Sequence, residues 1–346
     1  MLRSLVEKGI MSEIKVRQIY DNYNRPIQYM RLAVTDRCNL RCFYCMPEEW
    51  IHFVPKKELL RYEEMERLVS LLAPVGVSKI RITGGEPFVR RDLMPFLSRL
   101  TRIPGVKQVN ITTNGVFTWK YMEQLKAIGI SSINLSLDTL DPSRFFEITR
   151  RDNLKEVMKT MDAAIKHDIP LKVNCVVING MNDEDILPMT ELAKDKPVNV
   201  RFIEEMPFNG DGRKYASLKW NHNKIIGLIK THYPGIIRIS DPIHSTSANY
   251  QIPGFKGKVG VIAAYSRTFC DSCNRVRVTA IGMLKTCLYD DGVFDLKNLL
   301  RTEPDDQKVL DQLIRIFQKR SKNGFEAEKL RDKTNPIGES MATIGG

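Results

Sequence analysis

The chain has 346 residues, 42% of them hydrophobic and 27% charged, with a formal net charge of +12. This composition is that of a globular protein with one or two domains. No run reaches the roughly twenty apolar residues that a membrane span needs, and the charged N-terminus lacks the apolar core of a signal peptide. We therefore expect a cytoplasmic protein without membrane association. The positive charge favours either a solubilising surface or a polyanionic partner such as nucleic acid or nucleotide phosphates.

Short β-branched runs alternate with helical patterns through the first 206 residues. This alternation predicts βα units and a parallel sheet. Six units are too few for a closed eight-stranded barrel, so the pattern leaves an open partial barrel or a doubly wound sheet. The predicted strands cover 29–34, 79–83, 108–114, 132–138, 171–178 and 199–206.

The pattern changes after Met206. A loop-like stretch precedes a short predicted helix over 221–233, and two strand-like segments follow it. The C-terminal residues are small, and by default we expect them to fray. We divide the chain into an N-terminal extension (1–20), a barrel domain (21–240) and a C-terminal domain (241–346).

Three of the seven cysteines lie directly after the first predicted strand, where Cys38, Cys42 and Cys45 form C-x3-C-x2-C. In a parallel α/β fold, the loop after a strand lies at the catalytic face. A structural zinc ion requires four ligands, whereas three cysteines on a [4Fe–4S] cluster leave one iron open to a substrate or cofactor. We favour the cluster over a zinc knuckle completed by His52 and over unrelated thiols.

A second triplet occurs in the C-terminal third, where Cys270, Cys273 and Cys287 form C-x2-C-x13-C without a nearby histidine. A zinc ribbon lacking one ligand is the alternative, because zinc sites usually have four ligands. A second cluster with an open iron accounts better for three thiols. The seventh thiol, Cys175, lies inside an apolar predicted strand, and we expect it to be buried by packing.

These motifs resemble the radical S-adenosylmethionine (SAM) superfamily. The first triplet has an aromatic residue, Tyr44, before its last cysteine, and "TGGEP" (83–87) after the second strand is similar to the family's glycine-rich methionine-binding motif. Glycines let a backbone approach a ligand closely. From about Tyr20 onward the chain is similar to the GTP 3′,8-cyclase family (molybdenum cofactor biosynthesis protein A). The segments that carry this resemblance are "LAVTDRCNLRC", "KIRITGGEP", "TTNG", "INLSLD", "RFIEEM", "CNRVRV" and the terminal "GG".

The resemblance implies an α/β fold: an incomplete TIM-type barrel of about six βα units, with a C-terminal α+β domain covering its open side. It implies a lyase that converts GTP to 3′,8-cyclo-7,8-dihydro-GTP, the first step of molybdenum cofactor biosynthesis. The implied cofactors are two [4Fe–4S] clusters and SAM. The first cluster would bind SAM, and the second would meet the guanine of GTP. A 5′-deoxyadenosyl radical would take hydrogen from C3′ of the ribose.

The resemblance also assigns site residues. Arg275 and Arg277 would be catalytic, as would the tail Gly345–Gly346, which in this family enters the active site. The residues implied to contact SAM are Tyr44, Gly85, Ser136 and Met206. The residues implied to contact GTP are Arg31, Arg81, Thr112, Lys172, Arg275, Val276 and Arg277.

The strand pattern supports the basic residues independently of the resemblance. Alternation along "KIRIT" places Lys79, Arg81 and Thr83 on one face. A basic side chain that faces a barrel interior is costly unless an anion meets it, and Arg201 fits the same reasoning less strongly. Taken singly, a strand arginine is more often solvated or in a structural ion pair. Met206 could equally be strand packing, and Ser136 a simple cap.

The family also implies partners: an external electron donor, cyclic pyranopterin monophosphate synthase as the next enzyme, and a second copy of the chain in a homodimer. No nucleic acid is expected. Two alternatives remain open. One is a radical SAM enzyme with an auxiliary cluster that acts on a peptide or an RNA, although peptide-maturing relatives usually carry more C-terminal cysteines. The other is a non-enzymatic iron–sulfur scaffold, which would not require "TGGEP" or six βα units.

Overall fold

One twelve-stranded sheet organises the residues that the computed structural model describes, namely 18–46, 53–206, 218–331 and 341–344. Its spatial order is β12-β11-β10-β1-β2-β3-β4-β5-β6-β9-β8-β7. The strands are β1 (Tyr29–Ala33), β2 (Lys79–Thr83), β3 (Gln108–Thr113), β4 (Ser132–Ser136), β5 (Leu171–Val177), β6 (Asn199–Glu204), β7 (Ile237–Arg238), β8 (Ser247–Gln251), β9 (Lys258–Ile262), β10 (Arg275–Val278), β11 (Met283–Lys285) and β12 (Phe294–Asp295).

The central eight strands, from β10 through β1–β6 to β9, run parallel. Antiparallel pairs extend the sheet at each end, with β11 and β12 at one and β8 and β7 at the other. Since the order starts at β12 and finishes at β7, the described sheet does not close on itself. This confirms the prediction of an incomplete parallel barrel.

The C-terminal part contributes strands to both ends of the barrel sheet. β10 pairs with β1 so that Arg277 lies beside Arg31, and β9 pairs with β6 so that Gly260 lies beside Arg201. The sequence pattern did not predict these two pairings. The sheet therefore runs across residue 240 without a break, and a domain boundary at that point stays a prediction.

Helices cover the outer face of the sheet through apolar stripes. In the first of them, Met65, Leu68, Val69 and Leu72 follow helical spacing and are buried. The helices are α1 (Tyr62–Leu72), α2 (Leu93–Leu100), α3 (Met122–Ala127), α4 (Pro142–Thr149), α5 (Leu154–Lys166), α6 (Ile186–Asp195), α7 (His222–His232), α8 (Leu296–Thr302), α9 (Asp306–Phe317), α10 (Gly324–Lys329) and α11 (Met341–Ile344). Among the described helices, none combines the length and apolarity that crossing a membrane requires.

Strand alternation separates the hydrophobic core from the inner face. On β5, Val173 and Cys175 are fully buried in the core, whereas Lys172 and Asn174 line an inner cavity. The predicted burial of Cys175 is thus confirmed. On β10, Val276 packs in the core while its two arginine neighbours face inward. This alternation places polar groups from many strands in one space.

Candidate active site

The inner face of the parallel strands lines a cavity of about 790 Å³. The structure brings most of the predicted site residues together around it. Val276 instead packs in the core, so any ligand contact there would involve its main chain, and Gly345–Gly346 lie outside the described residues. The predicted residues that line the cavity are Arg31, Cys38, Cys42, Tyr44, Cys45, Arg81, Gly85, Thr112, Ser136, Lys172, Arg201, Met206, Cys270, Cys273, Arg275, Arg277 and Cys287.

The first cysteine triplet lies at the carboxyl end of β1. A turn over Cys42–Met46 closes with Cys45 and Met46 N–H groups donating to the Cys42 carbonyl at 3.0 and 2.9 Å. The Sγ of Cys38 accepts from the Leu40 N–H at 3.4 Å and from Asn114 Nδ2 at 3.5 Å. Burial raises the pKa of the Cys38 thiol to about 11. Holding these sulfurs as thiolates therefore calls for a bound cation, because metal binding displaces the thiol proton.

The two glycines of "TGGEP" pack against the loop that carries this triplet. A Cβ on Gly84 would lie 2.3 Å from the Thr35 carbonyl oxygen, and one on Gly85 would lie 2.3 Å from that of Arg37. The Gly85 N–H donates to Thr35 O at 2.8 Å. Their first role is thus close contact between two backbone segments, and Gly85 also lines the cavity.

Tyr44 is held by Asp138, a residue that our sequence reasoning did not select. The Tyr44 hydroxyl donates to Asp138 Oδ2 at 2.7 Å, and the Val176 N–H donates to Oδ1 at 2.8 Å. Burial raises the pKa of the Asp138 carboxyl to about 6, despite these hydrogen bonds. The buried carboxyl fixes the phenol ring beside Cys42 and Cys45, and Ser136 lines the cavity two residues away.

Glu204 is a second polar anchor that the sequence analysis missed. Its fully buried carboxylate accepts from the ring Nδ1 of His222 at 2.8 Å, and from the Ser266 N–H and hydroxyl at 2.7 and 2.8 Å. It therefore ties the end of β6 to the segment after β9. Met206, which follows two residues later, lines the cavity from this fixed strand end.

The second cysteine triplet lies at the opposite end of the cavity. Because β10 is parallel to β1, Cys273 before β10 lies at the amino end of the strands, while Cys38 after β1 lies at the carboxyl end. Arg275 Nη2 and Arg320 Nη2 approach Cys273 Sγ at 3.5 and 3.6 Å. Burial raises the pKa of Cys273, but the two guanidinium groups outweigh it and lower this pKa to about 6.

The chemistry of the donors favours clusters over single metal ions at both ends. Within the described ranges, no three Cys, His, Asp or Glu side chains converge closely enough to ligate one ion. A cubane presents a different iron to each thiol and so accepts more widely spaced sulfurs. The described cysteines are free of disulfides, and both triplets line the cavity. The residues present therefore fit a three-cysteine iron–sulfur cluster at each end.

Between the triplets, seven basic side chains from five strands meet. Burial, together with the charges of neighbouring cations, lowers the pKa of Arg31 to about 9 and of Lys172 to about 7. Burial lowers the pKa of Arg201 and of Arg277 to about 10 in the same way. Such mutual repulsion is relieved when an anion binds. The seven cations are Arg31, Lys79, Arg81, Lys172, Arg201, Arg275 and Arg277.

Tyr29 lies among these cations and was also missed by our sequence reasoning. Its hydroxyl accepts from Arg81 Nε, and Lys79 Nζ lies 5.0 Å from its ring centroid. Burial raises the pKa of Tyr29, but Arg81, Arg31 and Lys79 outweigh it and bring the pKa down to about 7. The sequence pattern could have identified Tyr29. It lies two residues before Arg31 on β1 and so shares its face, as Lys79 and Arg81 share a face on β2.

Several polar atoms of the cavity wall have no hydrogen-bond partner among the described residues. They include Arg201 Nε, Asn134 Oδ1 and Asn174 Oδ1. Buried polar atoms are rarely left unsatisfied unless a ligand, water or ion meets them. These unpartnered atoms and the surrounding cations form a pocket that suits a polar anion of nucleotide size.

Sequence profiles of two families match adjacent parts of the chain. That of the Radical SAM superfamily matches residues 32–193, and that of Molybdenum Cofactor Synthesis C matches residues 198–326. The first match contains the first triplet and the glycine motif. The second contains the other triplet and the paired arginines of β10.

Curated relatives resemble the chain over most of its length. It is 39% identical over 335 residues to "GTP 3′,8-cyclase, mitochondrial" of Arabidopsis thaliana, covering 95% of this chain and 83% of that protein. It is 40% identical over 324 residues to "Molybdenum cofactor biosynthesis protein 1" of Dictyostelium discoideum, covering 92% of this chain. The chain spans about half, 51%, of that second relative.

The fold is also similar to that of a solved structure. The crystal structure of Streptococcus suis SuiB bound to S-adenosylmethionine matches with a TM-score of 0.55 at 15% identity, covering 83% of this chain and 69% of SuiB. At this identity the likeness concerns the fold alone. It agrees with the incomplete parallel barrel described above.

Proposed function

The chain belongs to the GTP 3′,8-cyclase family of radical SAM enzymes, and on that premise we propose that it converts GTP to 3′,8-cyclo-7,8-dihydro-GTP. Members of this family use SAM and two [4Fe–4S] clusters. When bound, these cofactors supply one-electron chemistry that yields a radical able to take hydrogen from C3′ of the ribose. The protein contributes binding, orientation and exclusion of water.

One observation carries this proposal. A single cavity has a cysteine triplet at each end and seven cations that line it between them. A nucleoside triphosphate has the matching shape and charge: phosphates for the cations, a ribose in the middle and a base that can reach the far triplet. An uncharged substrate would not use this concentration of positive charge.

We assign phosphate binding to the cations at the middle of the parallel strands. Arg31, Arg81 and Arg277 lie side by side in register on β1, β2 and β10. Arginine forks match phosphate oxygens in bidentate geometry. Arg81 Nη1 already meets Thr112 Oγ1 at 3.4 Å, so the two side chains can hold one anion together.

We assign SAM binding to the first triplet end. Cys38, Cys42 and Cys45 would hold the first cluster, and Tyr44, Gly85, Ser136 and Met206 would contact SAM. Support comes from the Tyr44–Asp138 hydrogen bond, from the packing of Gly85 and from the Glu204 anchor behind Met206. These contacts fix the wall of the cavity before any ligand binds, which reduces the entropy cost of binding.

We assign the second triplet, Cys270, Cys273 and Cys287, to the cluster that meets the guanine. Arg275 and Arg277 would be catalytic in the sense that both face substrate and the second cluster. Arg275 bonds to Cys273 Sγ, and burial lowers the pKa of Arg275 while the nearby Cys273 outweighs it and raises this pKa. Arg275 therefore stays charged throughout the working pH range.

The C-terminal helix α11 supports a role for the diglycine tail. Ile344 is buried against Tyr289 and Ala327, and Cys287 and Met206 pack against the same small apolar cluster. Met341 lines the cavity. The described part of the chain ends beside the site at Ile344, which supports our proposal that Gly345 and Gly346 act there, since glycine is the residue that a crowded pocket accepts.

Some partners are proposed on family membership. They are an external electron donor, cyclic pyranopterin monophosphate synthase as the next enzyme, and a homodimeric assembly. We also propose a cytoplasmic location, although the Arabidopsis relative is named mitochondrial.

The test is anaerobic reconstitution of the full chain with iron and sulfide, followed by incubation with SAM, a reductant and GTP. We expect two four-iron clusters per chain, 5′-deoxyadenosine and a cyclised GTP product. SAM cleavage that leaves GTP unchanged would contradict the proposed substrate and favour a peptide or RNA substrate. Zinc in place of iron at the second triplet would contradict the second cluster.

A further inference from the structure

A buried ionic network lies behind the second cysteine triplet. The carboxylate of Asp21 accepts from Arg25 Nε at 2.7 Å and from Arg320 Nη1 at 3.1 Å. The side chains are 0%, 6% and 3% exposed respectively. Asp21 and Arg25 precede β1, whereas Arg320 follows α9, so the network joins two parts of the chain about 300 residues apart.

The network also bonds to the main chain around the cysteines. Arg25 Nη1 donates to the Cys270 carbonyl at 3.2 Å. Arg320 donates to the carbonyls of Cys273 and Thr286 at 3.2 Å each, and to that of Arg275 at 3.1 Å. Thr286 directly precedes Cys287. The two guanidinium groups therefore contact the backbone at or next to every cysteine of the triplet.

Arg320 makes one further contact, and this one is with a sulfur. Its Nη2 lies 3.6 Å from Cys273 Sγ, on which Arg275 Nη2 also converges at 3.5 Å. Each guanidinium group can donate several hydrogen bonds in fixed directions. Arg320 thus holds the backbone of the cysteine-bearing loops and also places a charged donor beside Cys273 Sγ, which would ligate the metal.

Charge balance argues against a purely structural role. Two guanidinium groups share the single carboxylate of Asp21, which leaves a net positive charge in a buried place. A buried charge without compensation is strongly unfavourable. The Arg320 guanidinium faces the sulfur of Cys273, which becomes anionic when it ligates metal.

We propose that Arg320, held by Asp21, is a positioning residue that sets the geometry of the second cysteine triplet and raises the reduction potential of the cluster bound there. Hydrogen bonds and positive charge at a ligand sulfur stabilise the reduced, more negative state of an iron–sulfur cluster. The inference rests on the proposed assignment of this triplet to a cluster. It does not depend on GTP being the substrate.

The experiment is a redox titration, followed by electron paramagnetic resonance, of the reconstituted full-length chain and of its Arg320→Gln and Arg320→Lys variants. The cluster at the first triplet serves as an internal reference in each sample. For Arg320→Gln we expect the second cluster to become harder to reduce by about tenfold, which is about 59 mV for one electron, while the first keeps its potential. Arg320→Lys retains the charge and should show a smaller shift in the same direction.

Iron content tests the positioning role separately. We expect Asp21→Asn to lower iron at the second triplet, because both guanidinium groups lose their shared carboxylate. Arg301→Gln is the matched control, since it removes another arginine–carboxylate pair, that with Glu64, from helix α8. Its potentials and iron content should equal those of the unmodified chain.

Two results would overturn the inference. One is an Arg320→Gln chain with full iron and both potentials unchanged. The other is an equal shift of both potentials, which would indicate a global effect. If Arg320→Gln does not fold, as judged by circular dichroism, an unchanged second potential in Arg320→Lys overturns the proposal equally. Loss of GTP turnover alone would bear on the proposed function only, since neither readout here uses GTP.

Discussion

Lys172 provides a sharp test of the anion site, because its charge is unfavourable in the ligand-free protein. Burial, together with the charges of Arg201, Arg81 and Lys79, lowers its pKa from 10.5 to about 7. Such a shift corresponds to about 5 kcal/mol by which the Lys172 charge destabilises the folded, ligand-free chain below pH 7. Because Lys172 is partly exposed, solvent screening reduces this penalty to about 2 kcal/mol. Lys172→Met removes the charge with a similar side-chain length.

The change should act in opposite directions on stability and binding. At pH 6 we expect Lys172→Met to raise the unfolding temperature of the ligand-free chain by a few degrees. Because a lysine–phosphate contact contributes about 1.5–3 kcal/mol, GTP should bind about 10- to 100-fold more weakly. A gain in stability that accompanies a loss of affinity is typical of a residue retained for binding.

The sign of the pH dependence follows from the lowered pKa. Between pH 7 and 10.5 the unfolded chain binds the Lys172 proton that the folded chain has released, so stability rises with pH in this window. The advantage of Lys172→Met should therefore be full at pH 6 and smaller at pH 9. Lys258→Met, at an exposed strand position on β9, is the control and should change neither quantity.

The measurements are differential scanning calorimetry of the ligand-free chain at pH 6 and 9, and isothermal titration calorimetry with GTP, both under anaerobic conditions. An unchanged unfolding temperature at pH 6 would refute the claim that the charge of Lys172 is unfavourable in the ligand-free fold. Unchanged GTP affinity would refute the assignment of Lys172 to the phosphates.

Further predictions concern the cations of the cavity and its first-triplet end. Tyr29→Phe should flatten the pH dependence of GTP binding. In the unmodified chain the Tyr29 phenol loses its proton as the pH rises through about 7, and the phenolate then repels phosphate. Equal pH profiles of GTP binding for the two chains would contradict this. Gly85→Ala should lose the iron of the first triplet, because the new Cβ would collide with the Arg37 backbone; iron analysis that finds both clusters would disprove it. Glu204→Gln should weaken SAM binding several-fold and lower the unfolding temperature, since the pairing of residue 204 with His222 is weakened. Equilibrium dialysis measures the SAM affinity, and calorimetry measures the unfolding temperature. Unchanged values of both would rule out Glu204 as an anchor for the end of β6.

Local chemistry in the sequence predicted the parts of the fold that depend on neighbouring residues. The βα alternation gave six strands within one or two residues of their observed bounds, because apolar periodicity and β-branched runs act over short distances. The pairing of β10 with β1 and of β9 with β6 was not predicted. Such pairings join residues more than fifty positions apart, and composition carries no information about which edge a later strand will meet.

The candidate site likewise contains residues that the sequence identified and residues that only the structure revealed. The cysteine triplets and the arginines of "KIRIT" and "RVRV" were selected because their residue types are unusual in those positions. Asp138 and Glu204 were not, since a single acidic residue at a strand end has many ordinary explanations until its buried partners are visible. Tyr29 could have been found by extending the alternation argument one position back from Arg31. The contacts of Arg320 depend on tertiary packing alone.

The central claim is that the cavity holds GTP with its C3′ hydrogen exposed to a radical generated from SAM at the first triplet. The most direct measurement is transfer of deuterium from [3′-²H]GTP to 5′-deoxyadenosine, followed by mass spectrometry in the anaerobic reconstituted enzyme. We predict 5′-deoxyadenosine one mass unit heavier, formed together with a cyclised product that has lost that deuterium. Unlabelled 5′-deoxyadenosine alongside intact [3′-²H]GTP would contradict it.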